Sequence, residues 1–364
     1  MAESSGHGHP GEPPAPADGL AAKVAFLGDP RAYPEPVAAV EVVETHMSWV
    51  FLAGGRVYKL KKPVRFPYLD FSTLARRAAA CRAEDRLNRR LAPEVYLGIV
   101  PLTAAASGLA LGGEGEVVDW LVVMRRLDPA ANLEPALRGG RLPPAEVERV
   151  AAVLRSFYRR ARPVPTSAGR HRDHWRQATE ANRRLLADPR FRLPAGLVGR
   201  IAMVQRRFLA TRSAALAARV RAGRIVDAHG DLRPEHVWLT RPVAIIDCLE
   251  FDPRLRALDP LDELAFLSVE CERLGAAWVG RHIHRRLAAA LREPPASGLF
   301  LFYRTQRAML RARLAIAHLL DAQPRTPAKW PLQARAYLRI AAGDARRLER
   351  LLRTRKGRRA AGPG

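Results

Sequence analysis

The spacing of apolar residues divides the chain into two stretches of different character. Up to about Leu127 it is the spacing of strands. Val40 to His46 contains a β-branched run, and Trp49 to Leu52 and Arg56 to Leu60 are two more strand-like runs. Ala53-Gly54-Gly55 joins them, a hairpin signal. Residues 95–101 and 117–124 read the same way, the second as Val117-Val118-Asp119-Trp120-Leu121-Val122-Val123-Met124. Leu74 to Leu91 has helical spacing and is closed by Pro93. After about Asp128 the period becomes helical, over roughly 144–161, 172–187, 195–220, 260–275, 277–292, 297–322 and 331–353. One hairpin interrupts these helices: His236 to Leu239 and Val243 to Cys248, split by Thr240-Arg241-Pro242. The fold class this predicts is α+β, a small antiparallel sheet followed by a larger, mainly helical part. The predicted divisions are a disordered tail over 1–20, a sheet-and-helix unit over 21–127, a helical unit over 128–352 and a basic tail over 353–364.

Composition narrows the picture. A length of 364 residues with 48% hydrophobic content suffices for two lobes. No run approaches the ~18 uninterrupted apolar residues of a membrane span, and the first twenty residues have no secretory pattern. Cys81, Cys248 and Cys271 are far apart and form no CxxC, which fits a reducing cytoplasm better than a disulfide framework or zinc site. The net charge of +25 points toward partners bearing phosphate. Yet nearly all the cations are arginines spread along helices, and aromatics are few, so nucleic acid is not the expected partner.

The candidate chemistry centres on Ile225-Val226-Asp227-Ala228-His229-Gly230-Asp231-Leu232-Arg233-Pro234-Glu235-His236-Val237. An apolar run feeds a turn, and the hairpin that follows ends in Asp247, so Asp231 and Asp247 can share one end. Paired carboxylates there suit a magnesium–phosphate site, one as metal ligand and one orienting an attacking hydroxyl. The segment resembles the catalytic loop of aminoglycoside phosphotransferase-like kinases, a branch of the protein-kinase-like superfamily. The resemblance rests on His229-Gly230-Asp231 and on Ile246-Asp247-Cys248-Leu249-Glu250-Phe251. It implies a two-lobed protein-kinase-like fold, ATP and Mg²⁺ as cofactors, Asp231 as base and Asp247 as metal ligand. His229 and Arg233 would support the loop, Arg233 as a cation toward the γ-phosphate. His236 stands where that family usually has Asn, and imidazole nitrogen suits magnesium less than a carbonyl oxygen.

Only six lysines occur, and Lys59, Lys61 and Lys62 are three of them. Their clustering suggests a need for a compact ammonium on a strand, where kinases place a lysine on the nucleotide phosphates and pair it with a helix glutamate. Lys59 and Lys61 share a face; Lys59 is preferred, with Glu84 as partner. No GxGxxG lies between the first two strands; the turn Thr45-His46-Met47-Ser48 takes its place, with Ser48 as a candidate phosphate cap. Met124 occupies the expected hinge, where backbone groups would pair with adenine. Glu44-Thr45-His46-Met47-Ser48-Trp49, Tyr58-Lys59-Leu60-Lys61-Lys62-Pro63, Leu258-Asp259-Pro260-Leu261-Asp262-Glu263 and Phe302-Tyr303-Arg304-Thr305-Gln306-Arg307 look like a bacterial group of that family, often fused to a P-loop domain. No GxxxxGK[ST] occurs, so the stand-alone kinase-like half is expected. Asp262 is expected to open a helix as a capping acid, with a second role in bracing the catalytic loop.

The expected activity is transfer of the γ-phosphate of ATP to a small-molecule hydroxyl. A nucleotide-binding regulator without catalysis is the alternative that His236 leaves open, and a basic nucleic-acid-binding protein the third. The sequence does not identify the acceptor.

Overall fold

The computed structural model describes residues 19–66, 68–291, 298–321, 324 and 326–360, with side chains up to residue 353. Residues 1–18 of the expected disordered tail lie outside the described residues, while Gly19 and Leu20 cap and begin the first helix. Two compact units result. The first runs to Arg89 and resumes over Pro93–Arg126; the second takes Arg90–Ala92 and everything from Leu127.

The first unit contains α1 (Leu20–Gly28), β1 (Val40–Glu44), β2 (Ser48–Ala53), β3 (Arg56–Lys61), the short β4 (Arg65–Phe66) and β5 (Leu69–Asp70), α2 (Leu74–Asn88), β6 (Tyr96–Ala105), β7 (Gly108–Leu111) and β8 (Glu116–Arg125). Six strands form one sheet in the order β1-β2-β3-β8-β6-β7, with every pairing antiparallel. The β2–β3 hairpin closes with Ala53 opposite Arg56, and Gly54 at φ 56° supplies the left-handed turn residue. Thr73 caps α2 by accepting from the Arg76 N–H. That helix lies against β8 and β6 and buries Ala78, Cys81, Glu84 and Leu87. It ends at Asn88 rather than Leu91, where the chain passes into the second unit. Phe51, Leu60, Leu102 and Leu121 form the fully enclosed centre of the core. A buried network of Lys23, Arg77 and Asp119 ties α1 and α2 to β8.

The second unit contains α3 (Leu133–Arg138), α4 (Pro144–Arg160), α5 (Ala168–Leu186), α6 (Ala195–Thr211), α7 (Ser213–Arg221), β9 (Val226–Asp227), β10 (Val237–Trp238), β11 (Ala244–Ile245), α8 (Pro253–Arg256), β12 (Ala257–Leu258), α9 (Pro260–Arg273), α10 (Ala277–Ala290), α11 (Leu299–Ala317) and α12 (Lys329–Ala360). The expected helix over 195–220 is two helices, because the backbone leaves helical geometry at Arg212 (φ −130°, ψ 17°). The expected tail from residue 353 continues α12 as far as Ala360. The predicted hairpin is present as β10 paired with β11. The expected α+β class, a small antiparallel sheet followed by a larger helical part, describes both units.

Candidate active site

In the second unit, β9 leads into the His-Gly-Asp segment. Pairing of β9 with β12 anchors it, and Asp227 takes Arg256 at 2.8 Å and Arg90 at 3.1 Å. The chain turns at Gly230, whose φ of 94° favours glycine. A Cβ there would stand 3.0 Å from Leu249 and 3.2 Å from Arg256. The buried backbone donors of the turn need acceptors. Glu263, in the first turn of α9 and fully buried, supplies them. Its Oε1 accepts from Gly230 N–H at 2.6 Å; its Oε2 accepts from His229 N–H at 3.2 Å and from the Tyr158 hydroxyl at 2.7 Å.

His229 joins this loop to the segment that carries Asp247. Its Nδ1 accepts from Asp231 N–H at 3.3 Å, so the proton resides on Nε2, which donates to Ile246 O at 2.9 Å. Its own carbonyl accepts from Leu249 N–H at 3.1 Å. Burial pushes the His229 pKa below the usual 6.5, and protonation would set a second N–H against that of Asp231. The folded pKa is depressed, so the stability this neutral ring contributes is complete above about pH 6.5 and lost as pH falls toward the folded value. In an imidazole NMR titration, His229 should remain the neutral Nε2-protonated tautomer through the ordinary histidine midpoint and protonate only below it. A midpoint at the ordinary histidine value would contradict this assignment.

Asp231 follows directly. Burial raises its carboxyl, but Arg233, with His236 and Arg311, outweighs that and holds the pKa below 3.8. Arg233 donates to Oδ2 through Nε at 3.0 Å and Nη2 at 2.8 Å, and its Nη1 goes to Glu235. Among the described residues no donor reaches Asp231 Oδ1. His236 stands between the two aspartates: Nδ1 lies 2.8 Å from the Asp231 backbone carbonyl and 3.8 Å from its Oδ2, and Nε2 lies 3.4 Å from Asp247 Oδ2. Asp247 itself sits just past β11 at φ 65° with its side chain half exposed. Left-handed backbone at a non-glycine residue costs of order 1–3 kcal/mol, and such strain gathers at functional positions.

In the first unit, Glu84 is buried on α2 and takes two lysines from β3. Lys59 Nζ lies 2.9 Å from Oε1 and Lys61 Nζ 2.6 Å from Oε2. Lys61 is fully enclosed, with its ammonium over the Phe71 ring, whereas the Lys59 side chain keeps 17% exposure. Ser48 opens β2 and is buried; Thr45 ties the turn by bonding both Ser48 N–H and Ser48 O. Met124 lies near the end of β8, opposite Val57 and Tyr96, two residues before the boundary of the unit.

No family model matches the chain. It is 33% identical over 296 residues to an uncharacterized protein of Mycobacterium tuberculosis strain H37Rv, and equally to one of Mycobacterium bovis. The match covers 79% of this chain and 57% of each relative, so the chain spans little more than half the length of the curated relatives it matches. A choline/ethanolamine kinase family protein from Mesorhizobium loti aligns over 90% of this chain and 98% of its own, at 16% identity and a TM-score of 0.49. Choline kinase from Cryptosporidium parvum Iowa II aligns over 90% of this chain and 94% of its own, with a TM-score of 0.53 at 11% identity. The chain has the protein-kinase-like fold.

Within this kinase-like fold, the second unit brings together Asp231, His229, Arg233, His236 and Asp247, and the first brings together Lys59 and Glu84. The expectation for Asp262 needs correction. Asp259 caps α9 by accepting from Leu261 N–H, Asp262 binds Arg307 through both oxygens, and the brace of the His229–Asp231 turn is Glu263. The signal for Glu263 was present in the sequence. An acid placed in a helix whose neighbours Leu261, Leu264, Ala265 and Phe266 are all apolar must find a partner inside.

Proposed function

We propose that the chain is an ATP-dependent phosphotransferase that moves the γ-phosphate to a hydroxyl of a small molecule. The observation that carries this reading is the His236 ring set between Asp231 and Asp247, 2.8 Å from the backbone carbonyl of the first and 3.4 Å from Oδ2 of the second. The fold shared with a choline kinase supports it. Asp231 orients the acceptor hydroxyl through Oδ1 and takes up its proton, while Arg233 keeps the carboxylate ionised and fixed through Oδ2. Positioning outweighs basicity here, because the transition state of phosphoryl transfer is loose. Asp247 suits magnesium: a half-exposed hard oxygen donor for an ion that completes its shell with water and phosphate oxygens. When bound, that ion would neutralise phosphate charge. Among the described residues no cluster of three or more His, Cys, Asp or Glu side chains makes a protein-only metal cage. With Nδ1 donating to Asp231 O, His236 accepts from Arg233 Nη2 through its Nε2 lone pair, so it serves as a positioning residue more readily than as a magnesium ligand. Lys59 would contact the nucleotide phosphates, steadied by Glu84. The backbone at Met124 would meet adenine and that of the 45–48 turn, with Ser48, the phosphates.

Saturating Mg-ATP should raise the melting temperature by roughly 5 °C at a hundredfold excess over Kd. Asp247→Ala should abolish that response. γ-Phosphate transfer into a metabolite extract then tests turnover. A flat melting response together with no transfer would sink the proposal. Nucleotide binding without turnover, unchanged by His236→Asn, would favour the regulator that the His236 substitution suggests.

A further inference from the structure

Two arginines of α11, Arg307 and Arg311, lie within electrostatic reach of Asp231. Glu263 leads along α9 to Asp262, Phe266 and Glu270, and α11 runs beside it with Arg307 and Arg311. Arg307 binds Asp262 through two nitrogens and stacks over Phe266 at 5.1 Å. Arg311 stacks over Phe266 at 5.8 Å and over Tyr337 at 5.6 Å, where Arg273 also lies at 5.6 Å. A quaternary or primary ammonium is held by aromatic faces or carboxylates. Here Phe266 and Tyr337 already carry guanidinium groups. The acids are engaged too: Glu270 takes Arg273 at 2.9 Å, Arg311 at 2.7 Å and the Tyr337 hydroxyl at 2.8 Å. Arg273, Arg307 and Arg311 thus bond Glu270 and Asp262, while Glu134, Glu263 and Asp231 also act on them through their charge. Arg311 uses Nε alone for Glu270 and Tyr337, and among the described residues neither of its Nη groups has a protein acceptor. Its side chain retains 16% exposure, and it lies close enough to Asp231 for each charge to stabilise the other.

Resting on the phosphotransferase reading, we propose that the acceptor is an anionic hydroxy compound, bearing a carboxylate or phosphate that the Nη edge of Arg311 binds while Asp231 orients its hydroxyl. The transfer is then ordinary: the acceptor oxygen bonds to the γ-phosphorus, the bridging bond to ADP breaks, and the hydroxyl proton passes to Asp231. The fork geometry of a guanidinium suits either oxyanion. The overall charge of +25 draws such acceptors in.

The experiment splits a metabolite extract on ion exchangers near neutral pH into anionic, neutral and cationic fractions. Each is incubated with the full chain, magnesium and ATP labelled in the γ position. Label should enter compounds of the anionic fraction only. The anionic compounds that take label then serve as substrates for Arg311→Met. Their KM should rise roughly 30-fold, as expected for loss of a charge-assisted hydrogen bond, while the KM for ATP stays within about twofold. Glu270 keeps Arg273 and Tyr337 in that variant, so the fold should persist, checked by melting temperature. Arg311→Lys, retaining charge without the fork, should lie between. Label in the neutral or cationic fraction, or an effect of Arg311→Met on ATP rather than acceptor, overturns the anionic acceptor and leaves phosphotransfer standing. Label in no fraction despite Mg-ATP binding overturns phosphotransfer itself, and the acceptor proposal with it.

Discussion

Glu263→Gln should cost about 2–4 kcal/mol of folding stability and lower phosphoryl transfer about a hundredfold or more. The carboxylate accepts from three donors, Gly230 N–H on Oε1 and His229 N–H and Tyr158 O–H on Oε2. Glutamine has the same shape but one oxygen. Either way the amide turns, its NH₂ meets a backbone N–H that has no other acceptor in a fully buried site. Tyr158 can rotate its hydroxyl to accept instead; the peptide N–H groups cannot. The turn must then shift at Gly230, which a Cβ-sized space already confines against Leu249, and Asp231 moves with it. Denaturant melts give the first quantity and single-turnover transfer the second. A glutamine variant as stable and as active as the parent would remove Glu263 from this role.

The residues that make the site were legible to different degrees, and the reason is physical. The strands of the first unit were readable because β2 and β3 alternate around a two-glycine turn. The lysine cluster stood out because arginine meets almost every other cationic need in the chain. Asp231 and Asp247 were readable because a hairpin must return its two ends to one place. What sequence could not supply was the choice among equivalent neighbours. Lys59 and Lys61 both reach Glu84, and it is the partial exposure of Lys59, against the enclosure of Lys61 over Phe71, that separates them. Asp262 and Glu263 are adjacent acids in the first turn of one helix, yet a rotation of about 100° per residue sends one to Arg307 and the other to Gly230. The break at Arg212 carries no proline or glycine to announce it. Nor does spacing reveal that His229 is locked as one tautomer, since that depends on a carbonyl seventeen residues away.

Asp231→Asn should lower the transfer rate by about 10²–10⁴-fold and leave Mg-ATP binding within about twofold. Arg233 offers Nε and Nη2 to one side of this carboxylate, so an asparagine must turn its carbonyl oxygen toward Arg233. Its NH₂ then occupies the position of Oδ1 and presents a donor where the acceptor hydroxyl needs an acceptor. The hydroxyl is no longer oriented, and its proton has no carboxylate to receive it. Nucleotide binding should be spared because the residues proposed for it, Asp247, Lys59 and Glu84, are untouched. Arg233 retains Glu235, so the loop keeps its shape. The acid limb of the parent's rate profile follows from the same contacts. Arg233 and its neighbours hold the Asp231 pKa below 3.8, so activity carried by its ionised form should persist through mildly acidic pH and disappear only as pH falls through that lowered value. A parent profile that falls with a midpoint near 6, or an asparagine variant that turns over at the parental rate, would place the catalytic carboxylate elsewhere.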